Sequence, residues 1–263
     1  MVVGARGHYD SAMISRRRIL TLASSAVASS ACSAWAQRSP STDGRLKVSF
    51  KSPTKTITSG NQALGLGSDS GRDGLLSVPA NYKPETPTPM AVMLHGAGGS
   101  ARRVTGLFSV ADELGIILLS PESRGSTWDG IRERYGPDID FLNVSLAHVF
   151  DRCNVDKRRL AIGGFSDGAS YGLSVGLANG DLFTHVVACS PGFIIRPGAT
   201  RGRPRVFISH GKADRILPID STSRRIVPEL EHGGYAVKYR EFDGPHAVPP
   251  EIAREALTWF VGK

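Results

Sequence analysis

From about Gly74 onward, short apolar runs recur at intervals along the chain, separated by longer stretches with helical spacing of apolar and polar positions. Runs such as AVML and IILL are apolar on both faces, as expected of strands covered by helices on both sides of a sheet. The pattern predicts strands over 74–78, 90–94, 116–120, 160–164, 185–189, 205–209 and 236–242. Helices are predicted over 101–114, 138–152, 166–179, 221–232 and 249–261. Strands alternating with helices imply an α/β domain built on a mostly parallel, doubly wound sheet with helices on both faces. No internal repeat occurs, and no insertion is long enough for a large lid domain, so an open site is expected. Upstream, VSF at 48–50 reads as a first strand, and the Gly-, Ser- and Thr-rich stretch over 52–73 as surface chain.

The N-terminus has a different pattern. Arg16, Arg17 and Arg18 precede the weakly apolar ILTLASSAVASSA, and Ala34-Trp35-Ala36 then forms an A-x-A cleavage site before Gln37. This order of charge, apolar core and small residues reads as an export signal, too short and polar to span a bilayer stably. Ser15-Arg16-Arg17-Arg18-Ile19-Leu20 is similar to the twin-arginine signal, which implies the twin-arginine export machinery as a partner and a periplasmic or secreted product. Met13 sits just ahead of it, so translation from Met13 is an alternative to Met1. The expected organisation is a signal over 1–36, a linker and N-terminal surface segment over 37–72, and a catalytic domain over 73–263.

Composition narrows the function classes. Apolar residues make up 40% and charged residues 21%, which excludes a disordered chain. Of the formal charge of +8, the first 36 residues hold four arginines against one aspartate, so the remainder carries only a mild excess. There is no aromatic-rich basic sheet and no zinc-ligand spacing, so nucleic acid is not an expected partner. Cys153 and Cys189 fall at opposite edges of the predicted sheet, too far apart for a disulfide, and are expected to be free.

In sheets of this kind chemistry collects at the carboxyl ends of the strands. Gly164-Phe165-Ser166-Asp167-Gly168 is a G-x-S-x-G motif, weak alone but here set between a predicted strand (LAIGG) and a predicted helix (ASYGLSVGLA). A serine on that sharp turn is lifted clear of the sheet at a helix N-terminus, where the dipole favours negative charge. Its hydroxyl needs a base, itself oriented by an acid, and with this elbow the chain order is serine, acid, histidine. His246, in GPHAVPP after the last strand, is the candidate base. His185 starts a strand at the wrong edge, His232 reads as a helix C-terminal partner, and His210 lies in the acid's own loop. Asp214, in HGKADRILP, is the candidate acid, while Asp220 reads as an N-cap and Asp243 lies too close to His246 in the chain. The amides of Asp167 and of Ala97, in the turn His95-Gly96-Ala97-Gly98-Gly99, are the candidate oxyanion donors. His95 itself is expected to brace that loop. Trp128 and Phe193, in loops after strands, are candidates for lining a substrate pocket.

The motifs LHGAGGS, GFSDGAS, SHGKADRILP and GPHAVPPEIAREALTWF, spanning about residues 70–263, together resemble the phospholipase/carboxylesterase group of α/β-hydrolases. They are also similar to secreted esterases related to polyhydroxybutyrate depolymerases and feruloyl esterases. The resemblance implies the α/β-hydrolase fold and carboxylic-ester hydrolysis through an acyl-enzyme, with no metal or organic cofactor. It assigns Ser166, Asp214 and His246 as the triad and the Ala97 and Asp167 amides as the oxyanion hole. Asp167 departs from the pattern, since many relatives carry an uncharged residue after the nucleophile. Thioester, polyester or feruloyl cleavage with the same triad remains open, as does a non-catalytic ligand-binding role on the same scaffold.

Overall fold

The computed structural model describes residues 43–67, 71–195 and 199–263. The export signal over 1–36 lies outside the described residues. Among the described residues, eight strands form one sheet in the order β1-β2-β4-β3-β5-β6-β7-β8. They are β1 (Gly60–Ala63), β2 (Gly74–Val78), β3 (Thr88–Leu94), β4 (Ile117–Pro121), β5 (Val155–Phe165), β6 (His185–Cys189), β7 (Arg205–Gly211) and β8 (Val237–Phe242). From β4 through β8 every neighbouring pair is parallel. β1 and β2 add an antiparallel edge, with β2 paired antiparallel to β4.

Helices cover both faces because the central strands have no polar face to offer water. Ile117, Leu118 and Leu119 are all fully buried. Apolar residues of α3 (Pro137–Phe150), α4 (Asp167–Ala178) and α5 (Ser223–His232) pack into the larger core with Val92, Ile162 and Ile208. On the opposite face, α1 (Phe108–Leu114) and α6 (Pro250–Val261) pack against Ala91, Val187 and Phe207. A four-residue helix, α2 (Asp129–Arg132), follows β4. Burial of a Leu, Ile or Phe contributes about 1.5–3 kcal/mol relative to exposure, so the two cores hold the sheet from both sides. This is the α/β-hydrolase fold. Among the described residues, no helix is long and apolar enough to cross a membrane.

One expectation upstream of β2 is corrected. Residues 48–50 form no strand. The preceding backbone is satisfied by side chains instead: Leu46 N–H donates to Asn179 Oδ1, and the Lys47 and Val48 N–H groups both donate to Asn143 Oδ1. The described residues of the stretch over 52–73 do run over the surface, exposed or half-buried apart from Leu64, while contacts before and within it tie it to the domain. Leu46 and Leu64 are buried in the larger core, Phe50 stacks on Phe150 at 4.7 Å, and residues 60–63 add β1 to the sheet. Cys153 and Cys189 are free and buried.

Candidate active site

The site is built where β5 turns into α4. Ser166, between them, has φ 58° and ψ −122°, a region that L-residues with a side chain rarely occupy. Holding it there costs about 1–3 kcal/mol, which the surroundings must over-determine. They do so by close approach. A Cβ on Gly164 would lie 2.4 Å from the Leu94 carbonyl oxygen, and one on Gly168 would lie 2.4 Å from the same atom. Only glycines at both positions let strand, turn and helix meet this tightly. The Ser166 N–H donates to the Cys189 carbonyl at 3.0 Å, tying the turn to β6.

The side chains singled out by chain order converge on this turn. His246 Nδ1 lies 2.6 Å from Asp214 Oδ2, and His246 Nε2 lies 2.9 Å from Ser166 Oγ. A carboxylate only accepts, so the Nδ1–H donates to Asp214, leaving Nε2 to accept the serine proton. The imidazole packs 4.6 Å from the Phe165 ring. Asp214 follows β7, and its side chain has no exposed surface. Its Oδ1 accepts the backbone N–H groups of Ile216 (2.9 Å) and Leu217 (2.8 Å). Burial alone would raise the Asp214 pKa; the hydrogen bonds from Leu217, His246 and Ile216 outweigh it and hold the group below the ordinary carboxylate value.

A second histidine reaches the same carboxylate. His210 Nε2 lies 3.1 Å from Asp214 Oδ2 and 2.8 Å from the Leu217 carbonyl. Both neighbours are acceptors, so Nε2 carries a proton. Nδ1 then accepts from the Ser223 hydroxyl at 2.7 Å. Burial lowers the His210 pKa, so the ring is a neutral donor to a charged acceptor. No sequence motif marks this contact. The only signal was its place four residues before Asp214, across a tight turn.

The loop after β3 comes against the nucleophile from the other side. A Cβ on Gly96 would lie 3.3 Å from Ser166 Cβ, so the backbone carrying the Ala97 amide passes in contact with the serine. Gly98 N–H donates to the Ser126 carbonyl at 2.7 Å, and Gly99 N–H to the Gly96 carbonyl at 3.0 Å. His95 braces the loop: it is buried, its Nδ1 donates to the Gly96 carbonyl at 2.8 Å, and its Nε2 accepts the Ser123 N–H at 3.1 Å. Burial lowers its pKa and keeps it neutral. The Ala97 N–H has no backbone acceptor among the described residues, and the Asp167 N–H opens α4, where no intrahelical bond can use it.

The carboxylate of Asp167 is paired: Thr127 Oγ1 donates to its Oδ2 at 2.6 Å. Of the acids set aside, Asp220 pairs with Arg224 at 2.7 Å rather than capping a helix, and Asp243 pairs with Lys212 at 3.0 Å. Of the two aromatic candidates, Trp128 does not behave as expected. Trp128 is fully buried, with its indole N–H donating to the His95 carbonyl at 2.9 Å and its ring stacked 5.2 Å from Tyr171. It supports the loop from beneath and cannot line a substrate pocket. Its position in a polar loop gave no sign of the buried ring pair. Phe193 is 43% exposed, on the loop leaving β6.

No family model matches the chain. It is 26% identical to feruloyl esterase C of Emericella nidulans over 166 residues, 59% of this chain and 60% of that protein. The chain spans between 42% and 60% of the length of the curated relatives it matches. Among solved structures it is similar to the Staphylococcus aureus fluorophosphonate-binding serine hydrolase FphF, with a TM-score of 0.63 at 17% identity, covering 77% of this chain and 98% of that one. It is also similar to the ferulic acid esterase AmCE1/Fae1A of Anaeromyces mucronatus, with a TM-score of 0.59 at 15% identity, covering 78% and 89%.

Proposed function

We propose that this chain hydrolyses carboxylic esters, with Ser166 as nucleophile, His246 as general base and acid, and Asp214 as the group that orients and stabilises the imidazolium. The observation that carries the reading is the continuous hydrogen-bonded line from Ser166 Oγ through His246 to Asp214, at 2.9 and 2.6 Å, ending on a strained turn. In the first step Ser166 Oγ attacks the ester carbonyl carbon while His246 Nε2 takes the hydroxyl proton. The carbonyl oxygen becomes an oxyanion held by the Ala97 and Asp167 N–H groups, and losing one such donor typically costs about 10²–10³ in turnover. Collapse expels the alcohol, which leaves with the proton from His246. Water, deprotonated by the same imidazole, then attacks the acyl-enzyme carbonyl, and His246 returns that proton to Ser166 Oγ as the acid leaves. No metal or organic cofactor enters these steps. Because Thr127 pairs the Asp167 carboxylate, its charge is partly offset beside the oxyanion.

The names of the similar proteins support the ester class and put feruloyl esters among the substrates to test. The export reading of the N-terminus places the working enzyme in the periplasm or outside the cell, delivered by the twin-arginine machinery. Substituting Arg16 and Arg17 by Lys should then hold the product in the cytoplasm, as followed by fractionation.

The test is steady-state hydrolysis of nitrophenyl esters by the purified full chain beside Ser166→Ala. Turnover that falls by several orders of magnitude in the variant supports the reading. Equal rates for both proteins on every ester would remove it and favour a ligand-binding role. Nitrophenyl thioesters run in parallel separate ester from thioester preference.

A further inference from the structure

Between α6 and the chain leading into α1, a cavity of about 520 Å³ runs down from the loop over 96–99 to the sheet. That volume lies within the range of small-molecule sites, about 300–1,000 Å³. Its floor is Met93, Val187 and Cys189, and its walls include Val104 and Leu107 on one side and Ala256 on the other. At its upper end lie the Ala97 backbone and Phe165, the immediate neighbour of Ser166. The floor residues are at most 5% exposed, and burial pushes the Cys189 thiol up to about 11, so it stays neutral. Among the described residues, the one charged side chain on the lining is Arg103, an exposed residue of the 3₁₀ turn at Ala101–Leu107. Neither aromatic residue proposed from the sequence lines it.

We infer that this cavity is the acyl-binding pocket and that it selects unsubstituted alkyl acyl chains of medium length over hydroxycinnamoyl groups. The inference rests on the hydrolase reading for the place of the ester carbonyl at Ser166. With that carbonyl held at the Ala97 amide, the acyl chain has an apolar path past Phe165 to Met93 and Val187. An alkyl chain leaves nothing unsatisfied there. A ring bearing hydroxyl and methoxy groups would carry polar atoms to walls whose side chains offer no oxygen or nitrogen partner below Arg103. Apolar pockets gain about 10–200-fold per well-placed methylene and reject an added hydroxyl by about a hundredfold at most. The expected selectivity is therefore at least about tenfold for octanoyl over acetyl, and for octanoyl over feruloyl.

The experiment has a binding arm and a turnover arm, both on the full chain. Octanoate, acetate and ferulate are titrated calorimetrically into Ser166→Ala, alone and with the cavity filled by Leu107→Trp or by Ala256→Leu. The first of these lies on the half-buried rim, so folding survives even if the second overpacks the core. The pocket predicts that octanoate binds at least about tenfold more tightly than acetate or ferulate, and that either filling variant removes this margin. Ferulate binding as tightly as octanoate, or octanoate affinity within about twofold in both filled variants, overturns it. The turnover arm compares acetyl, butanoyl, hexanoyl, octanoyl and palmitoyl esters in the chain with Ser166 intact. Octanoate binding without any ester turnover would sink the hydrolase reading and leave the pocket standing. Turnover of esters without tighter octanoate binding would do the reverse.

Discussion

Replacing His210 by alanine isolates a contact that no sequence motif marks. The ring gives one of the two donors on Asp214 Oδ2, at 3.1 Å, the other being His246 at 2.6 Å. A hydrogen bond to a charged group contributes about 1.5–3 kcal/mol. Here the donor is shared with the Leu217 carbonyl and the distance is long, so the lower end applies. At 1.36 kcal/mol per tenfold in rate, the expected loss in kcat is roughly tenfold. KM should stay near the wild-type value, because His210 touches the acid and not the ester. The substitution also removes the ring's hydrogen bonds to Ser223 Oγ and the Leu217 carbonyl at a buried position, for a stability loss on the order of 2–4 kcal/mol. Kinetics on a short nitrophenyl ester, with urea unfolding of the same sample, separate the two effects. His210→Gln, whose amide can donate to Asp214, should recover most of kcat if the ring positions the carboxylate. A folded His210→Ala protein with kcat within about twofold of wild type would show that the ring does not position Asp214.

Three further outcomes follow from other parts of the molecule. Burial lowers the His185 pKa to about 4, the ring lying edge-on to Trp259 and Phe260 at 5.2 Å. The unfolded chain therefore binds its proton first, and the stability present above about pH 6.5 is lost as pH falls towards 4. Urea unfolding at pH 7 and pH 4.5 should show a smaller acid loss in His185→Asn than in wild type; equal losses would contradict this. Gly168→Ala should destabilise by about 1–3 kcal/mol and abolish turnover, because the new methyl meets the Leu94 and His95 carbonyls; a thermal melt and activity like wild type would contradict the packing account. Thr127→Val removes the donor on Asp167 and should lower kcat several-fold with little change in KM, whereas an unchanged kcat would mean the carboxylate charge is not felt at Ser166.

Much of this was readable because the chemistry follows strand order. Ser166, Asp214 and His246 each sit just past the carboxyl end of a strand. Strands such as β4, with Ile117, Leu118 and Leu119, and the AVML of β3 announce themselves by being apolar on both faces. His185–Cys189 was predicted to the residue, since turn chemistry bounds it on both sides. What was not readable depends on contacts distant in the chain. β1 is GNQA, without an apolar alternation, and exists because β2 offers it an edge. VSF has strand composition but no strand to pair with, as side-chain amides take its place. Trp128 lies in a polar loop, and packing against the distant Tyr171 and His95 buries it. The cavity is drawn from several separate stretches of chain, so no local pattern encodes it.

The proposal that Ser166 is the nucleophile is open to covalent trapping. The purified full chain is treated with an alkyl fluorophosphonate, digested and mapped by mass spectrometry, beside Ser166→Ala and His246→Ala. One phosphonyl adduct is expected on the peptide containing Gly164-Phe165-Ser166-Asp167-Gly168, absent in the first variant and slowed by orders of magnitude in the second. No adduct on the folded wild type, or an adduct on another serine that persists in Ser166→Ala, would contradict it.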